Sequence, residues 1–194
     1  MPFLPTHMPG LLIYEPVVHY DDRGYFFESY NQLMFQHEAG IDCVFVQDNQ
    51  SYSVKNVLRG LHYQNPPLAQ GKLVRVLSGE ILDVTVDIRR GSPTYGRHYR
   101  VRLSAGNRRQ LWIPPGFAHG FLVQSESAEV LYKCDQPYSP EHEAGILFSD
   151  PALAIEWDID ISKVILSQRD AALPTLDRAV NRFEYGRTGG STGG

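Results

Sequence analysis

The sequence predicts a mainly β protein, folded as a sandwich or a jelly-roll barrel, with a few short peripheral helices. Three observations predict this class: short strand-like runs recur along the chain, turn residues separate them at hairpin spacing, and no long helical pattern intervenes. Ser78-Gly79-Glu80 and Ala105-Gly106-Asn107 are the clearest hairpin signals. The 194 residues suit one domain, which we expect over residues 1–185, with a flexible Gly-rich tail over 186–194.

The predicted elements can be assigned in chain order. A helix is expected over Asn31–Ala39, where Gly40 is a typical C-terminal cap. A second helix opens at Ser167-Gln168-Arg169-Asp170 and ends before Pro174. The predicted strands are Leu11–Val18, Gly24–Ser29, Val44–Ser53, Val57–Gln64, Lys72–Ser78, Glu80–Ile88, Arg97–Leu103, Gln110–Ile113, Phe117–Gln124 and Glu129–Cys134.

The strand over Glu80–Ile88 has a clear alternation. Asp83, Thr85 and Asp87 occupy every second position, and branched apolar residues lie between them. Because successive side chains of a strand point to opposite faces, this run predicts one polar and one buried face.

Composition and charge exclude several classes of function. The net charge of -4 and the lack of a Lys/Arg run argue against nucleic-acid binding. No apolar run approaches the roughly 20 residues that span a bilayer, and the N-terminus does not read as a signal peptide. Cys43 and Cys134 are the only cysteines, so we expect free thiols and a cytoplasmic protein.

Two neighbouring segments concentrate chemically active side chains. Leu58–Gln64 contains Arg59 and His62, and the following strand begins with Lys72. Lys72, Val74 and Val76 share one face of that strand, so the lysine lies among branched apolar residues. A lysine there loses hydration and needs an anionic partner or a developing negative charge. This pattern is typical of a site that handles an anion or an enolate.

Each candidate also has an ordinary explanation when it is taken alone. His62 and His119 could be hydrogen-bonded histidines without a chemical role, and Tyr132 could be an ordinary strand tyrosine. Ser167-x-x-Asp170 also has the spacing of a helix N-cap. A metal site is disfavoured, because no second histidine alternates with His62 and the Lys72 ammonium would repel a dication.

Several longer motifs follow one another along the chain. They are Asp22-Arg23-Gly24, Phe45-Val46-Gln47-Asp48-Asn49, Arg59-Gly60-Leu61-His62-Tyr63-Gln64, Gln70-Gly71-Lys72, Trp112-Ile113-Pro114-x-Gly116-Phe117-Ala118-His119-Gly120-Phe121 and Tyr132-Lys133. In the order and spacing of these motifs the chain resembles the dTDP-4-dehydrorhamnose 3,5-epimerases, from about Leu11 to Leu176. The resemblance implies a cupin-type jelly roll without metal or other cofactor, usually a homodimer. It also implies inversion of two stereocentres of dTDP-4-dehydro-6-deoxy-D-glucose on the route to dTDP-L-rhamnose.

The resemblance also implies roles for individual residues. His62 would be the base, oriented by Asp170; Lys72 would stabilise the enolate oxygen. Tyr132 would be the acid. His119 is expected beside the sugar or the first phosphate. The remaining residues are expected to bind the nucleotide, with dTDP as a product-like ligand: Arg23, Arg59 and Arg169 at the diphosphate, Glu28, Gln47, Asp48, Asn49 and Glu143 at the deoxyribose and base, and Tyr138 stacked on thymine.

Two departures from the family pattern affect only the nucleotide end. Pro137 precedes Tyr138 where two adjacent tyrosines are common, and Arg169 replaces a frequent lysine. Two alternatives stay open from sequence. One is a relative that inverts only C5 or only C3 of a related 4-keto sugar, and the other is a non-catalytic jelly-roll module that binds nucleotide-sugars.

Overall fold

Two antiparallel sheets form the body of the protein in a computed structural model that describes residues 2–186. The predicted tail, apart from Gly186, therefore lies outside the described residues. The strands are β1 (Phe3–Pro5), β2 (Leu12–Tyr14), β3 (His19–Asp21), β4 (Gly24–Phe26), β5 (Gln47–Val54), β6 (Leu58–Gln64), β7 (Lys72–Ser78), β8 (Glu80–Asp87), β9 (His98–Ser104), β10 (Gln110–Ile113), β11 (Phe117–Val123), β12 (Ser127–Cys134) and β13 (Glu143–Gly145).

The strand order confirms the predicted jelly-roll class. One sheet has the order β1-β2-β10-β7-β12-β5, the other has the order β13-β6-β11-β8-β9, and β3 and β4 form a separate ribbon. The short strands β1, β3 and β13, three residues each, escape prediction because they contain no apolar alternation. Leu11–Val18 was too long as a prediction: the strand ends at Tyr14, shortly before Pro16.

Both predicted helices are present, and Gly40 and Ser167 are the caps expected of them. Helix α1 (Gln32–Ala39) begins after Asn31, whose side chain accepts from two backbone N–H groups, and ends at Gly40 with φ +66°. Helix α2 (Gln168–Ala171) begins after Ser167, whose hydroxyl accepts from the Asp170 N–H. A short 3-10 helix, Ile161–Lys163, was not predicted.

Three apolar layers hold the two sheets in place. The first lies between the sheets and includes Val74, Val130 and Phe121. The second covers the outer face of the β6–β11–β8 sheet, where the C-terminal segment contributes Trp157. The third covers the outer face of the other sheet with the N-terminal residues and Phe35 of α1. Burial of apolar area on this scale is the main stabilising contribution.

These layers also correct one expectation for β8. The strand has the predicted polar face, but this face is buried as well: Asp83, Thr85 and Asp87 are each 0% exposed. Asp87 is satisfied by Arg89, Ser92 and Thr94. Asp83 pairs with His119 instead. An alternating pattern predicts two faces that differ in polarity, and it does not reveal that a second sheet covers the polar one.

Gly79 gives a test of the hairpin between β7 and β8. It has φ +79°, and a Cβ there would meet the Ser127 carbonyl oxygen and the Ser125 hydroxyl. We expect Gly79→Ala to lower the free energy of unfolding by about 2 kcal/mol or more, because a positive φ costs about 1–2 kcal/mol and the overlap adds to it. Urea denaturation measures the change. Gly106→Ala is the matched control. Gly106 has no positive φ, and a Cβ added there would lie 3.7 Å from its nearest neighbour, the Ser104 hydroxyl oxygen. An equal loss in the free energy of unfolding for both variants would show that the hairpin does not require glycine at position 79.

Candidate active site

A cleft of about 450 Å³ receives side chains from both sheets. A smaller cavity of about 200 Å³ adjoins it, and the two share His62, Lys72 and Tyr132 as lining residues. His62 comes from β6 in one sheet, whereas Lys72 and Tyr132 come from β7 and β12 in the other. The three residues that the sequence predicts for proton transfer and charge stabilisation therefore meet at one place, on opposite walls.

An irregularity in β6 brings two of the predicted residues to the cleft. Opposite β11, His62 pairs with His119 and Arg59 pairs with Phe121, so β6 contains one extra residue at this point. Arg59 and His62 lie three positions apart and yet both line the cleft. Gly60 lies within this bulge, and a Cβ there would meet the Gly120 backbone at 2.5 Å. Only glycine permits this close approach of the two strands.

His62 pairs with Asp170 from the far end of the chain. The distance from His62 Nε2 to Asp170 Oδ1 is 2.7 Å, and the carboxylate side chain is 6% exposed. The Gly60 N–H donates to Asp170 Oδ2 at 3.3 Å, and Ser167 caps the short helix that carries Asp170. The capping arrangement and the histidine pair therefore coexist: Asp170 donates its backbone N–H to the Ser167 hydroxyl, and its side-chain carboxylate contacts His62.

The environment keeps the Asp170 carboxyl ionised. Burial alone would raise its pKa, but the hydrogen bond and charge of His62, with the Gly60 and Ser167 hydrogen bonds, hold the pKa below its usual value. An ionised carboxylate at this distance orients the His62 imidazole and would stabilise a positive charge on that ring.

Lys72 and Tyr132 lie on the opposite wall among apolar residues. Lys72 shares its strand face with Val74 and Val76, as predicted, and Tyr132 pairs with Val74 across the sheet. Burial lowers the pKa of Lys72, although Cys134, Glu143 and Asp83 act in the opposite sense. The Lys72 side chain makes no hydrogen bond or ion pair with any residue between 2 and 186. Its ammonium is free to meet an anionic group in the cleft.

Tyr132 has the properties of a proton donor. Burial raises the pKa of its phenol, and so does the proximity of Cys134 and Glu143, whereas Arg59 lowers it. The raised pKa keeps the phenol protonated at neutral pH, so it can donate once to a strong base.

His119 lies beside His62 on the neighbouring strand. Its Nε2 is 2.8 Å from Asp83 Oδ2, and the residue is 8% exposed at the edge of the cleft. The cleft thus contains two histidine–carboxylate pairs on adjacent strands.

The smaller cavity gathers four of the nine residues predicted for the nucleotide. Glu143 joins two of them, since it accepts from the Tyr138 hydroxyl at 2.5 Å and forms an ion pair with Arg169 at 2.6 Å. Gln47 donates to Asn49 and accepts from the Tyr138 backbone. Arg59 is tethered at Nε by the Ser53 hydroxyl, 3.0 Å away. The residues in question are Gln47, Asn49, Tyr138 and Glu143, with Arg59 and Arg169 along the larger cleft.

Three predicted substrate contacts do not lie in the cleft of the single chain. Arg23 lies on the β3–β4 ribbon, with its side chain 90% exposed and paired with Asp21. Glu28 follows that ribbon, and its carboxylate accepts from Asn31. Asp48 lies on the outer face of β5, where it pairs with Lys133, because strand alternation turns it away from its neighbours Gln47 and Asn49.

Sequence reasoning missed two polar groups of the interior. Ser51 lines the cleft, and its hydroxyl oxygen has no partner among the described residues. Extending the alternation of Gln47 and Asn49 by one step would have found it. Asp83 is the second such group. The sequence predicts that it lies on the polar face of its strand, but it does not predict that this face is buried.

Within residues 2–186, no group of three or more His, Cys, Asp or Glu side chains could hold a metal ion, and no helix is long and apolar enough to cross a membrane. Cys43 and Cys134 are both free.

A family model described as dTDP-4-dehydrorhamnose 3,5-epimerase matches residues 5–178. The chain belongs to this family. The dTDP-4-dehydrorhamnose 3,5-epimerase of Salmonella typhimurium is 56% identical over 175 residues, which are 90% of this chain and 95% of that relative. The family consists of carbohydrate epimerases, a class of isomerase.

Solved structures of the epimerase family have the same fold. The dTDP-6-deoxy-D-glucose-3,5-epimerase of Legionella pneumophila, in complex with dTDP-4-keto-L-rhamnose, is 50% identical with a TM-score of 0.87, and the match covers 91% of this chain and 93% of that one. A 3'-monoepimerase of Streptomyces bikiniensis, in complex with dTDP-quinovose, is 36% identical with a TM-score of 0.84 over 89% and 87% of the two chains. The cupin-type jelly roll expected from sequence is confirmed.

The burial of Lys72 predicts an unusual titration. We expect the pKa of Lys72 in the folded epimerase to lie below that of the same residue in urea, because burial disfavours the ammonium. Reductive methylation with labelled formaldehyde, followed by NMR as the pH is raised, measures both values. In Lys72→Arg the signal of the methylated Lys72 is missing, so comparison with the wild-type spectrum assigns it. A folded pKa equal to or above the value in urea would show that the cleft walls do not desolvate this side chain.

Proposed function

We propose that the protein is a dTDP-4-dehydrorhamnose 3,5-epimerase. It would invert C3 and C5 of dTDP-4-dehydro-6-deoxy-D-glucose through enolate intermediates and give dTDP-4-dehydro-L-rhamnose, on the route to dTDP-L-rhamnose. The single observation that carries this proposal is the placement of His62 and Tyr132 on opposite walls of one cleft, with Lys72 beside them.

The geometry suits an inversion because the two proton-transfer groups come from different sheets. The hydrogens on C3 and C5 are acidic, since removal of either places negative charge on the C4 oxygen. His62 takes such a hydrogen from one face of the sugar, and Asp170 stabilises the resulting imidazolium at 2.7 Å. Tyr132 returns a proton to the opposite face, and the configuration at that carbon is reversed.

Lys72 would stabilise the enolate. Its ammonium lies in a low-dielectric wall, where the attraction to a developing oxyanion is stronger than in water. The interaction grows as charge moves onto the C4 oxygen, so it lowers the barrier more than it strengthens substrate binding. A pure binding module would need no base and acid on facing walls, and this favours the enzyme over the non-catalytic alternative.

The nucleotide would extend along the second cavity. Arg59 and Arg169 offer guanidinium groups to the diphosphate, and Gln47, Asn49 and Glu143 offer hydrogen bonds to the deoxyribose and base. Tyr138 is 51% exposed, so its ring can stack on thymine.

A homodimer would supply the contacts that the single chain lacks. Arg23 and Glu28 lie away from the cleft of their own chain, next to a ribbon with exposed Tyr25 and Phe26. We propose that this ribbon reaches the cleft of a second copy, where Arg23 meets the diphosphate. The edge strand β5, with Tyr52 and Val54 exposed, offers an apolar surface for the same contact. Two unpaired cysteines fit a cytoplasmic location.

A C3-only or C5-only epimerase is the second candidate. A 3'-monoepimerase from Streptomyces bikiniensis matches this fold at 36% identity. The same base, acid and lysine would serve such an enzyme. The far higher identity to 3,5-epimerases favours inversion at both carbons.

Isotope exchange tests the reaction and the roles together. In D2O the protein should wash deuterium into C3 and C5 of dTDP-4-dehydro-6-deoxy-D-glucose, with inversion at each. His62→Ala should slow both exchanges about 100- to 10,000-fold, because a positioned base is lost. Tyr132→Phe should keep exchange and lose net inversion, because His62 can return the proton to the face it left.

NMR of the product reports exchange and configuration at each carbon separately. Tyr95→Phe is the control, since Tyr95 is exposed, lines neither cavity and should react as the wild type does. Exchange at only one carbon would identify a monoepimerase. Undiminished exchange in His62→Ala would remove the histidine from the mechanism, and absence of any exchange in the wild type would overturn the function.

Mixing two inactive variants tests the shared cleft. If Arg23 completes the partner's cleft, a heterodimer of Arg23→Ala and His62→Ala contains one intact cleft and one doubly altered cleft. After subunit exchange at equal amounts, we expect about a quarter of the wild-type activity, assayed below KM, because half of the dimers have one intact site. If Arg23 serves its own chain, neither cleft is intact and the mixture stays as inactive as its components. Native mass spectrometry of the mixture verifies that subunits exchange. Lys163→Ala mixed with His62→Ala is the control for dilution by an inactive subunit, and it should keep about half of the wild-type activity with or without exchange.

A further inference from the structure

Asp83 is a buried carboxylate whose role the catalytic residues do not explain. It lies at the centre of β8, is 0% exposed, and contacts His119 through Oδ2 at 2.8 Å. Its second oxygen, Oδ1, has no hydrogen-bond partner among the described residues. The buried hydroxyl of Thr85, two residues along the same face, also has none in this part of the chain.

A structural role would not account for this arrangement. An ionised carboxylate out of contact with water costs several kcal/mol unless hydrogen bonds and charges compensate. Asp83 has one side-chain hydrogen-bond partner, His119, and the Lys72 charge acts on it from the facing wall. Its cross-strand partners are Phe121 and Val101, both buried in the apolar layer between the sheets. An apolar side chain of similar size would fit this position at lower cost. The carboxylate is therefore expected to act through His119.

We propose that Asp83 is a positioning residue for the reaction, which holds the His119 ring in one tautomer and one orientation toward the substrate. This inference rests on the proposed function, and it adds a residue that the resemblance did not assign. A carboxylate only accepts hydrogen bonds, so the hydrogen of a neutral His119 must lie on Nε2. Nδ1 then remains an acceptor, and it has no partner within residues 2–186.

The orientation of the His119 ring matters for the substrate because His119 lies next to His62. His119 pairs directly with His62 across neighbouring strands, and both rings line the cleft. A sugar hydroxyl that donates to Nδ1 would hold the ring of the substrate over His62. If the His119 ring turned, the acceptor would be lost and the space beside the base would change. His62 is oriented by Asp170 in the same manner, so the two histidines form two separately oriented pairs.

A double-mutant cycle tests the proposal. Asp83→Asn retains the shape but loses the fixed acceptor. We expect kcat/KM to fall about tenfold to a hundredfold, the range known for carboxylates that orient a metal-ligating histidine. His119→Asn should also reduce it. Because Asp83 acts through His119, the double variant should be no worse than His119→Asn alone. Multiplication of the two losses would overturn the proposal.

Nitrogen-15 NMR of the histidine rings supplies a readout that does not depend on turnover. His119 should have its hydrogen on Nε2 in the wild type, and Asp83→Asn should change that ring's shifts and leave those of His62 unaltered. Thr85→Val is the matched control, since it removes a buried hydroxyl without a partner from the same face; we expect unchanged kcat/KM and unchanged histidine shifts.

The outcomes separate this inference from the proposed function. A wild type that turns over the 4-keto sugar, with Asp83→Asn equally active and unaltered at His119, would refute the positioning role alone. A wild type without turnover would refute the function, while the tautomer of His119 could still be measured. Loss of activity in both Asp83→Asn and Thr85→Val, with unaltered shifts, would show that this face matters only for packing.

Discussion

The hydrogen bond between His62 and Asp170 is the contact on which the cleft depends. It joins two residues 108 positions apart, from the middle of a sheet and from a short helix near the end of the chain. Each of the two side chains is positioned by its own local structure. The bulge at Gly60 turns His62 toward the interior, and the Ser167 cap fixes the turn that carries Asp170. Because the Gly60 N–H also donates to Asp170, the bulge and the helix are held by the same carboxylate.

The electrostatics of the cleft follow from which wall each group occupies. On the wall formed by β6, a carboxylate with a lowered pKa lies next to the imidazole. On the facing wall, burial lowers the pKa of Lys72 and raises that of Tyr132, so both groups are moved toward their neutral forms. A negative charge that develops between the walls reverses this penalty for Lys72. Such a cleft would favour an anion that forms only during the reaction, which agrees with the enolate that we propose.

The sequence predicted the fold class, both helices and most strands, because alternation and turn residues are local signals. It also predicted that Lys72 shares a face with Val74 and Val76, which the structure confirms. It could not predict what depends on long-range packing. The polar face of β8 is buried because a second sheet covers it, and no residue within β8 reports that sheet. Asp48 was grouped with Gln47 and Asn49 by motif, although alternation alone would have turned it outward. The placement of Arg23 away from its own cleft depends on the direction of a ribbon, which local sequence does not determine.

The sandwich architecture itself constrains the stereochemistry. A substrate held between two sheets would meet one sheet with each face of its ring, so the base and the acid that we propose, His62 on β6 and Tyr132 on β12, would act from opposite sides. Selectivity between one and two inverted carbons must then come from how far the ring can shift between the same two walls. His119 and Ser51 line that space, and neither is needed to remove a proton. Differences in carbon selectivity among proteins of this fold are therefore expected in such lining residues, while the base, the acid and the lysine stay the same.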